Sequence, residues 1–211
     1  MSLRALMQGP LPVTAPLVLN PLMARMVEVA GFPAGYLGGG ATGYQKVALE
    51  ANLNLTEMCQ AALDIRAVSS LPLILDGACG YGDPMHMHRT IGMVEAAGFA
   101  AIEIEDQLVP KRAHHHVGIE HMIPVELMAA KVREAVAARR HPDFLSSGAR
   151  TPCGPATWTT LFAGARPIAR PGPTSSCSPW PTGPSSFARL PHGWAGRSCT
   201  SRAGAASPGT A

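Results

Sequence analysis

Leu71-Pro72-Leu73-Ile74-Leu75-Asp76 and, about one helix further on, Ala100-Ala101-Ile102-Glu103-Ile104-Glu105-Asp106 decide how this chain reads. Each is an apolar run that ends in acid. A continuous apolar run of strand length implies a strand buried on both faces, and so a parallel sheet covered by helices. The turn Gly77-Ala78-Cys79-Gly80-Tyr81-Gly82 follows the first run, and Gln107 through Lys111-Arg112 follows the second. Carboxylates at the C-terminal tips of parallel strands stand where α/β folds place their chemistry. Two such tips can direct oxygen ligands at one hard cation.

The neighbouring segments fit an alternating pattern. Ser2 to Gln8 reads as a short helix, Val13 to Leu19 as a strand, and Leu22 to Ala30 as a helix stopped by Gly31. Ala34 to Leu37 reads as a second strand that runs into a loop at Gly38-Gly39-Gly40. Thr56 to Val68 is expected to be helical, with Met58, Ala62 and Ile65 on one face. Asp83-Pro84 starts a helix as N-cap and first helical residue, carries Met87, Ile91 and Val94 inward, and stops at Gly98. Pro124 begins another, with Met128, Val132, Ala135 and Val136 at core spacing, and Asp143-Phe144-Leu145 opens a further strand. The order βαβαβαβαβ means a parallel sheet, closed as a barrel or doubly wound.

The chain changes character at Leu145. All 14 acidic residues lie at or before Asp143, whereas residues 146–211 hold no Asp, Glu or Lys, half of the 20 prolines and all three tryptophans. The first 145 residues carry 11 Lys and Arg against 14 acids, and the remainder carries six Arg. The overall charge of +3 therefore joins two unlike pieces and is no nucleic-acid signal. Residues 146–211 show no period of useful length, and three readings compete: a disordered extension, a basic interaction tail, or translation out of frame. The last is favoured. Rewritten in G/C-rich codons, each begun one base early, Ala156-Thr157-Trp158-Thr159-Thr160-Leu161 becomes Asp-Leu-Asp-Asp-Ala. From Ser146 to Thr174 the same shift allows VIGRTNAVRAGDLDDALRRGEAYREAGAD, which has the look of a strand, a loop and an amphipathic helix. On this reading residues 1–145 are a partial barrel and residues 146–211 an irregular or disordered tail.

No run approaches membrane-spanning length. Cys59 and Cys79 have no paired spacing, so disulfides are not expected and a reducing cytoplasm is the default.

Three blocks together resemble the isocitrate lyase/phosphoenolpyruvate mutase family, over about residues 3–145. They are Tyr36-Leu37-Gly38-Gly39-Gly40, Leu75-Asp76-Gly77-Ala78-Cys79-Gly80-Tyr81-Gly82, and Ile104-Glu105-Asp106-Gln107 through Lys111-Arg112. The resemblance implies the first half of a (β/α)8 TIM-type barrel, a Mg2+ ion with Mn2+ as the alternative, and small 2-oxo or 2-hydroxy carboxylate substrates. It implies lyase or phosphonomutase chemistry through an enolate-like species, homo-oligomers among intact relatives, and no nucleic-acid or membrane partner. It assigns Asp76 and Glu105 to the metal, Tyr36, Gly38, Gly39 and Gly40 to the substrate, and Lys111 with Arg112 to a catalytic, substrate-gating loop. Two departures matter. Ala78 stands where the family usually has a second aspartate, and the family's acid after the glycines falls near Glu50-Ala51, where only Glu50 can serve. Ala113, followed by His114-His115-His116, stands where the lyase branch has a catalytic cysteine. That points away from isocitrate-type cleavage and toward decarboxylation, hydrolysis or an unassigned reaction. A half-barrel would also leave strand edges unpaired, so low activity and aggregation are expected of this chain.

Plainer readings stand beside each assignment. Asp76 could cap its own turn, Glu103 or Glu105 could pair with a barrel Lys or Arg, and Lys111-Arg112 could be a solvated basic pair. Cys79 suits small-residue packing. The three consecutive histidines lack the wider spacing of a metal site, and adding His86, His88 and His121 strengthens a metal reading only slightly. Gly38 to Gly43 matches G-x-G-x-x-G by letter, yet a dinucleotide site needs a helix opening there and an acid closing a following strand, and Asp64 falls within a predicted helix. A non-catalytic remnant or binding module is the alternative to an enzyme.

Overall fold

The computed structural model describes residues 1–113, 121–150 and 159–163, with Arg150 and the last five by backbone only. Helix α1, Leu3–Met7, is capped by Ser2. Helix α2, Pro21–Val29, has Asn20 as N-cap and ends before Gly31 at φ +80. Strand β1 is Gly35–Leu37, and helix α3, Gly39–Gln45, opens directly after it. A 3-10 turn at Glu50–Asn52 leads to helix α4, Leu55–Arg66, which Asn54 and Glu57 close with a reciprocal capping box. Strand β2 is Leu73–Asp76, a 3-10 turn spans Pro84–His86, and helix α5 is Met87–Ala96. Strand β3, Ala101–Glu105, helix α6, Val125–Ala137, strand β4, Leu145–Arg150, and strand β5, Thr159–Ala163, complete the described chain.

The sheet runs β1-β2-β3-β4-β5, and β1 to β4 are mutually parallel. Alternation along each strand sorts side chains onto two faces. Leu73, Leu75, Ile102 and Ile104 join Met58, Ala62, Ile65, Met87, Ile91 and Val94 in the core between sheet and helices. Ile74, Ala101 and Leu145 occupy the other face with Leu3, and Tyr36 packs against them. Both faces are thus covered, as the unbroken apolar runs require. No helix among the described residues is long and apolar enough to cross a membrane.

Three expectations need correction. The strand at Val13 to Leu19 reduces to one bridge, Leu17 to Tyr36, with Tyr36 N–H donating to Pro16 O and Val18 N–H to Tyr36 O. Pro12 and Pro16 have no N–H to extend that ladder. The Gly38-Gly39-Gly40 segment is the start of α3, not a loop. Strands continue past Leu145: β4 crosses it, and β5 returns antiparallel to β4. Residues 151–158 are too few for a parallel crossover, which takes about a dozen.

Candidate metal centre

Strand β2 delivers Asp76 to the sheet's C-terminal edge, and two glycines let neighbouring backbone close in around it. A Cβ on Gly77 would lie 2.6 Å from Glu103 O, so only glycine permits the Gly77 N–H to Glu103 O bond of 2.8 Å without displacing β3. Gly39 N–H donates to Asp76 Oδ2 at 2.8 Å and Ala78 N–H to Oδ1 at 3.1 Å. Asp76 pairs in register with Glu103, so Glu105, two residues on, projects from the same face of β3. Glu105 N–H in turn donates to Ala78 O at 2.7 Å.

Glu50 completes the group. It enters from the 3-10 turn after α3 and lies against Gly39, where a Cβ would come within 2.8 Å of its Cγ. Glu50, Asp76 and Glu105 each offer a carboxylate oxygen, all within 4.8 Å of one another. Lys111 Nζ stands 2.6 Å from Glu50 Oε1 and 2.6 Å from Glu105 Oε2, and its side chain is only 5% exposed. The Glu50 contact is an aligned hydrogen bond. The Glu105 contact is a close, buried ion pair.

Burial dominates the electrostatics. It raises the Asp76 carboxyl, and Glu50 adds to this against the two backbone hydrogen bonds and Lys111. It pushes Glu105 up to about 7, with Lys111 opposing and Asp76 assisting. Burial alone would pull Lys111 down, but Glu105 and Glu50 outweigh it and hold the ammonium charged. Tyr36 is raised by burial and by Asp76, Glu103 and Glu105, so its phenol stays neutral. A consequence follows for stability. Folded Glu105 holds its proton more tightly than the unfolded chain, whose carboxyl titrates near 4.5. Protonation therefore favours folding, and metal-free protein should lose stability as pH rises from about 4.5 to about 7. Denaturant midpoints across that window should fall in the wild type and fall less in Glu105→Gln.

The donor set suits a hard divalent cation. Three carboxylates from three separate segments converge, and all ligand atoms are oxygen. Mg2+ and Mn2+ favour such oxygens, often through one or two carboxylates with water completing the shell.

The structure brings Asp76, Glu105 and Lys111 together, with Tyr36 on the same face. Glu50, named in the sequence only as a stand-in acid, is a full member. Asp76 also caps its own turn, and Glu105 also pairs with a lysine, so the plainer readings hold alongside. Lys111 is a buried counter-charge instead of one half of a solvated basic pair, while Arg112 beside it is exposed. The Gly39 amide meets a carboxylate, that of Asp76. This also decides the G-x-G-x-x-G reading. A helix opens at these glycines, yet Asp76 fills the place a nucleotide phosphate would need. His86 accepts from Asp83 N–H at 3.0 Å and His88 pairs with Glu134 at 2.9 Å, so both are engaged elsewhere. Cys79 is buried, its thiol pushed up to about 12 by burial first, as a packing residue should be. His114, His115 and His116 lie outside the described residues. A cleft of about 1120 Å3 opens beside the cluster, with Glu50, Ala78, Tyr81 and Lys111 along its wall.

A model of the phosphoenolpyruvate phosphomutase family matches residues 3–151. A probable 2-methylisocitrate lyase of Corynebacterium glutamicum is 34% identical over 143 residues, covering 67% of this chain and 47% of that protein. An oxaloacetate decarboxylase of Paraburkholderia xenovorans is 35% identical over 138 residues, covering 64% and 46%. A crystal structure of phosphonopyruvate hydrolase with oxalate and Mg2+ superposes with a TM-score of 0.63 at 29% identity, covering 70% and 52%. The chain spans about half the length of the curated relatives it matches. With the match running through the glycines, the aspartate turn and the second acid block, the chain belongs to the phosphoenolpyruvate mutase/isocitrate lyase family of lyases and phosphonomutases.

Proposed function

We propose that this chain carries the metal half of an active site that cleaves a bond next to the carbonyl of a small 2-oxo carboxylate. The observation that carries the reading is the convergence of Glu50, Asp76 and Glu105 on one point at the C-terminal edge of a parallel sheet. Mg2+ is the proposed ion, held by Asp76 and by Glu105 and Glu50 directly or through water. When bound, it supplies positive charge for the substrate oxygen on which negative charge develops. The residues do the rest. Gly39 and Ala78 amides fix Asp76 in one orientation. Tyr36, kept neutral, offers its hydroxyl as a donor on the acid face. Lys111 and Arg112 supply cations for the substrate carboxylate from the segment after β3. Ala113 offers no thiol acid, so decarboxylation or hydrolysis is favoured over isocitrate-type cleavage.

The test is direct. Purified protein should bind one Mn2+ by calorimetry, oxalate should bind only with the metal present, and Asp76→Asn should weaken metal uptake at least tenfold. Metal binding that survives Asp76→Asn, or no uptake by the wild type, would sink the assignment.

A second reading concerns how much of that activity this chain retains. Residues 146–211 are proposed to come from a shifted reading frame, which would leave a weakened or inactive product. Two buried hydroxyls in β4, Ser146 and Ser147, lack hydrogen-bond partners and favour it. An intact frame around codons 145–146 in independent DNA reads would refute it. Oxaloacetate turnover that requires Mg2+ and is lost in Asp76→Ala would show that the chain is nonetheless active.

A further inference from the structure

We infer that Lys131 is a positioning residue for the carboxylate cluster, its buried ammonium pinning the turn from which Asp76 and Glu105 take their orientation. The inference rests on the proposed metal site.

Lys131 projects from α6 and is 1% exposed, among the largest fully buried side chains of the described protein. Lysine is almost never buried so deeply without a partner. Its Nζ donates to Cys79 O, a backbone carbonyl in the middle of the Gly77–Gly82 turn. Burial lowers its pKa, with Cys79 and Asp83 opposing.

The turn needs an external hold. Ala78 at φ +45 and Tyr81 at φ +59 sit in the left-handed region that side chains disfavour, and Gly80 at φ +79 lies between them. Three successive carbonyls are each tied to a different element. Ala78 O accepts from Glu105 N–H at 2.7 Å, Cys79 O from Lys131, and Gly80 O from Thr90 Oγ1 at 3.1 Å. Ala78 also donates to Asp76 Oδ1. One residue thus links the Asp76 carboxylate to the Glu105 backbone, and the next carbonyl along is the one Lys131 grips. Of the side chains in that set, Lys131 is the one that brings a positive charge to a turn carbonyl, and it comes from α6.

Lys131→Met keeps the side chain's length and removes its donor. Full-length wild type, Lys131→Met and Lys131→Gln should be titrated with Mn2+ by calorimetry, with thermal unfolding followed on the same samples. The expected result is a roughly tenfold weaker Kd for Mn2+ in both folded variants. A merely structural lysine would shift the unfolding temperature and leave the affinity of the folded protein unchanged, so equal affinity overturns the inference. Failure of both variants to fold also overturns it, since the role is then structural. A wild type that takes up no Mn2+ sinks the metal reading, and this inference with it. A wild type that binds while both variants match it removes only the role of Lys131.

Discussion

Lys111→Met should bind Mn2+ about a hundredfold more tightly than the wild type, while its metal-free form unfolds at a lower temperature. The two effects have one cause. In the structure the ammonium lies against Glu50 and Glu105, two of the three carboxylates whose charge would draw a divalent ion. A charge pair at 2.6 Å is worth about 6 kcal/mol at an effective dielectric near 20, before desolvation is subtracted. Removing one partner of a buried pair typically costs about 3–5 kcal/mol, which the metal-free variant should lose in stability. The same energy no longer opposes metal entry. A hundredfold gain corresponds to about 2.7 kcal/mol, within what the lost pairs can supply. Lys111→Arg keeps the charge and should stay near the wild type in both measurements. Saturating Mn2+ should restore the stability of Lys111→Met, which separates lost charge balance from lost packing. If Lys111→Met binds metal no more tightly, the ammonium and the ion do not compete for one site.

The legible part of this site is the part fixed by strands. Asp76 and Glu105 could be named because a strand end sets both the position and the direction of its side chain. Glu50 could only be suspected. It comes from an irregular segment with no period, and what draws it inward is the absence of a Cβ on Gly39, a tertiary fact. The same glycine misled the local reading. Three glycines argue against a helix by propensity, yet Gly38 O, Thr42 and the Asp76 carboxylate support one. Lys131 had a signal that was available. Residues 128, 131, 132 and 135 share a helical face, so the stripe of Met128, Val132 and Ala135 places a lysine in a core position. Strand β5 had none, because antiparallel pairing to β4 follows from the short connection and not from any alternation within Thr159–Ala163.

Ser146→Val combined with Ser147→Ile should stabilise the protein by about 4 kcal/mol. Strand β4 is the fourth parallel strand, and such strands are ordinarily runs of Val, Ile and Leu. Here Ser146 is 1% exposed and Ser147 is 0% exposed, and neither hydroxyl has a hydrogen-bond partner. An unpaired buried hydroxyl costs about 1–3 kcal/mol, and filling the site with methyl groups adds apolar burial. About 2 kcal/mol per position is therefore reasonable, equivalent to a rise in Tm of roughly 4–8 °C for each. The positions differ in surroundings. Ser146 pairs with Ile102 on the helix-covered face, while Ser147 pairs with Glu103 on the acid face, where Ile adds more volume. Ser147→Val is the control for overpacking there. Val and Ile are also among the residues that the proposed frame shift allows at these two positions. Thermal unfolding of the single and double variants tests the physical half independently of any DNA sequence. A lower Tm in Ser146→Val and also in the smaller Ser146→Ala would mean that β4 does not lie buried against α6 as described.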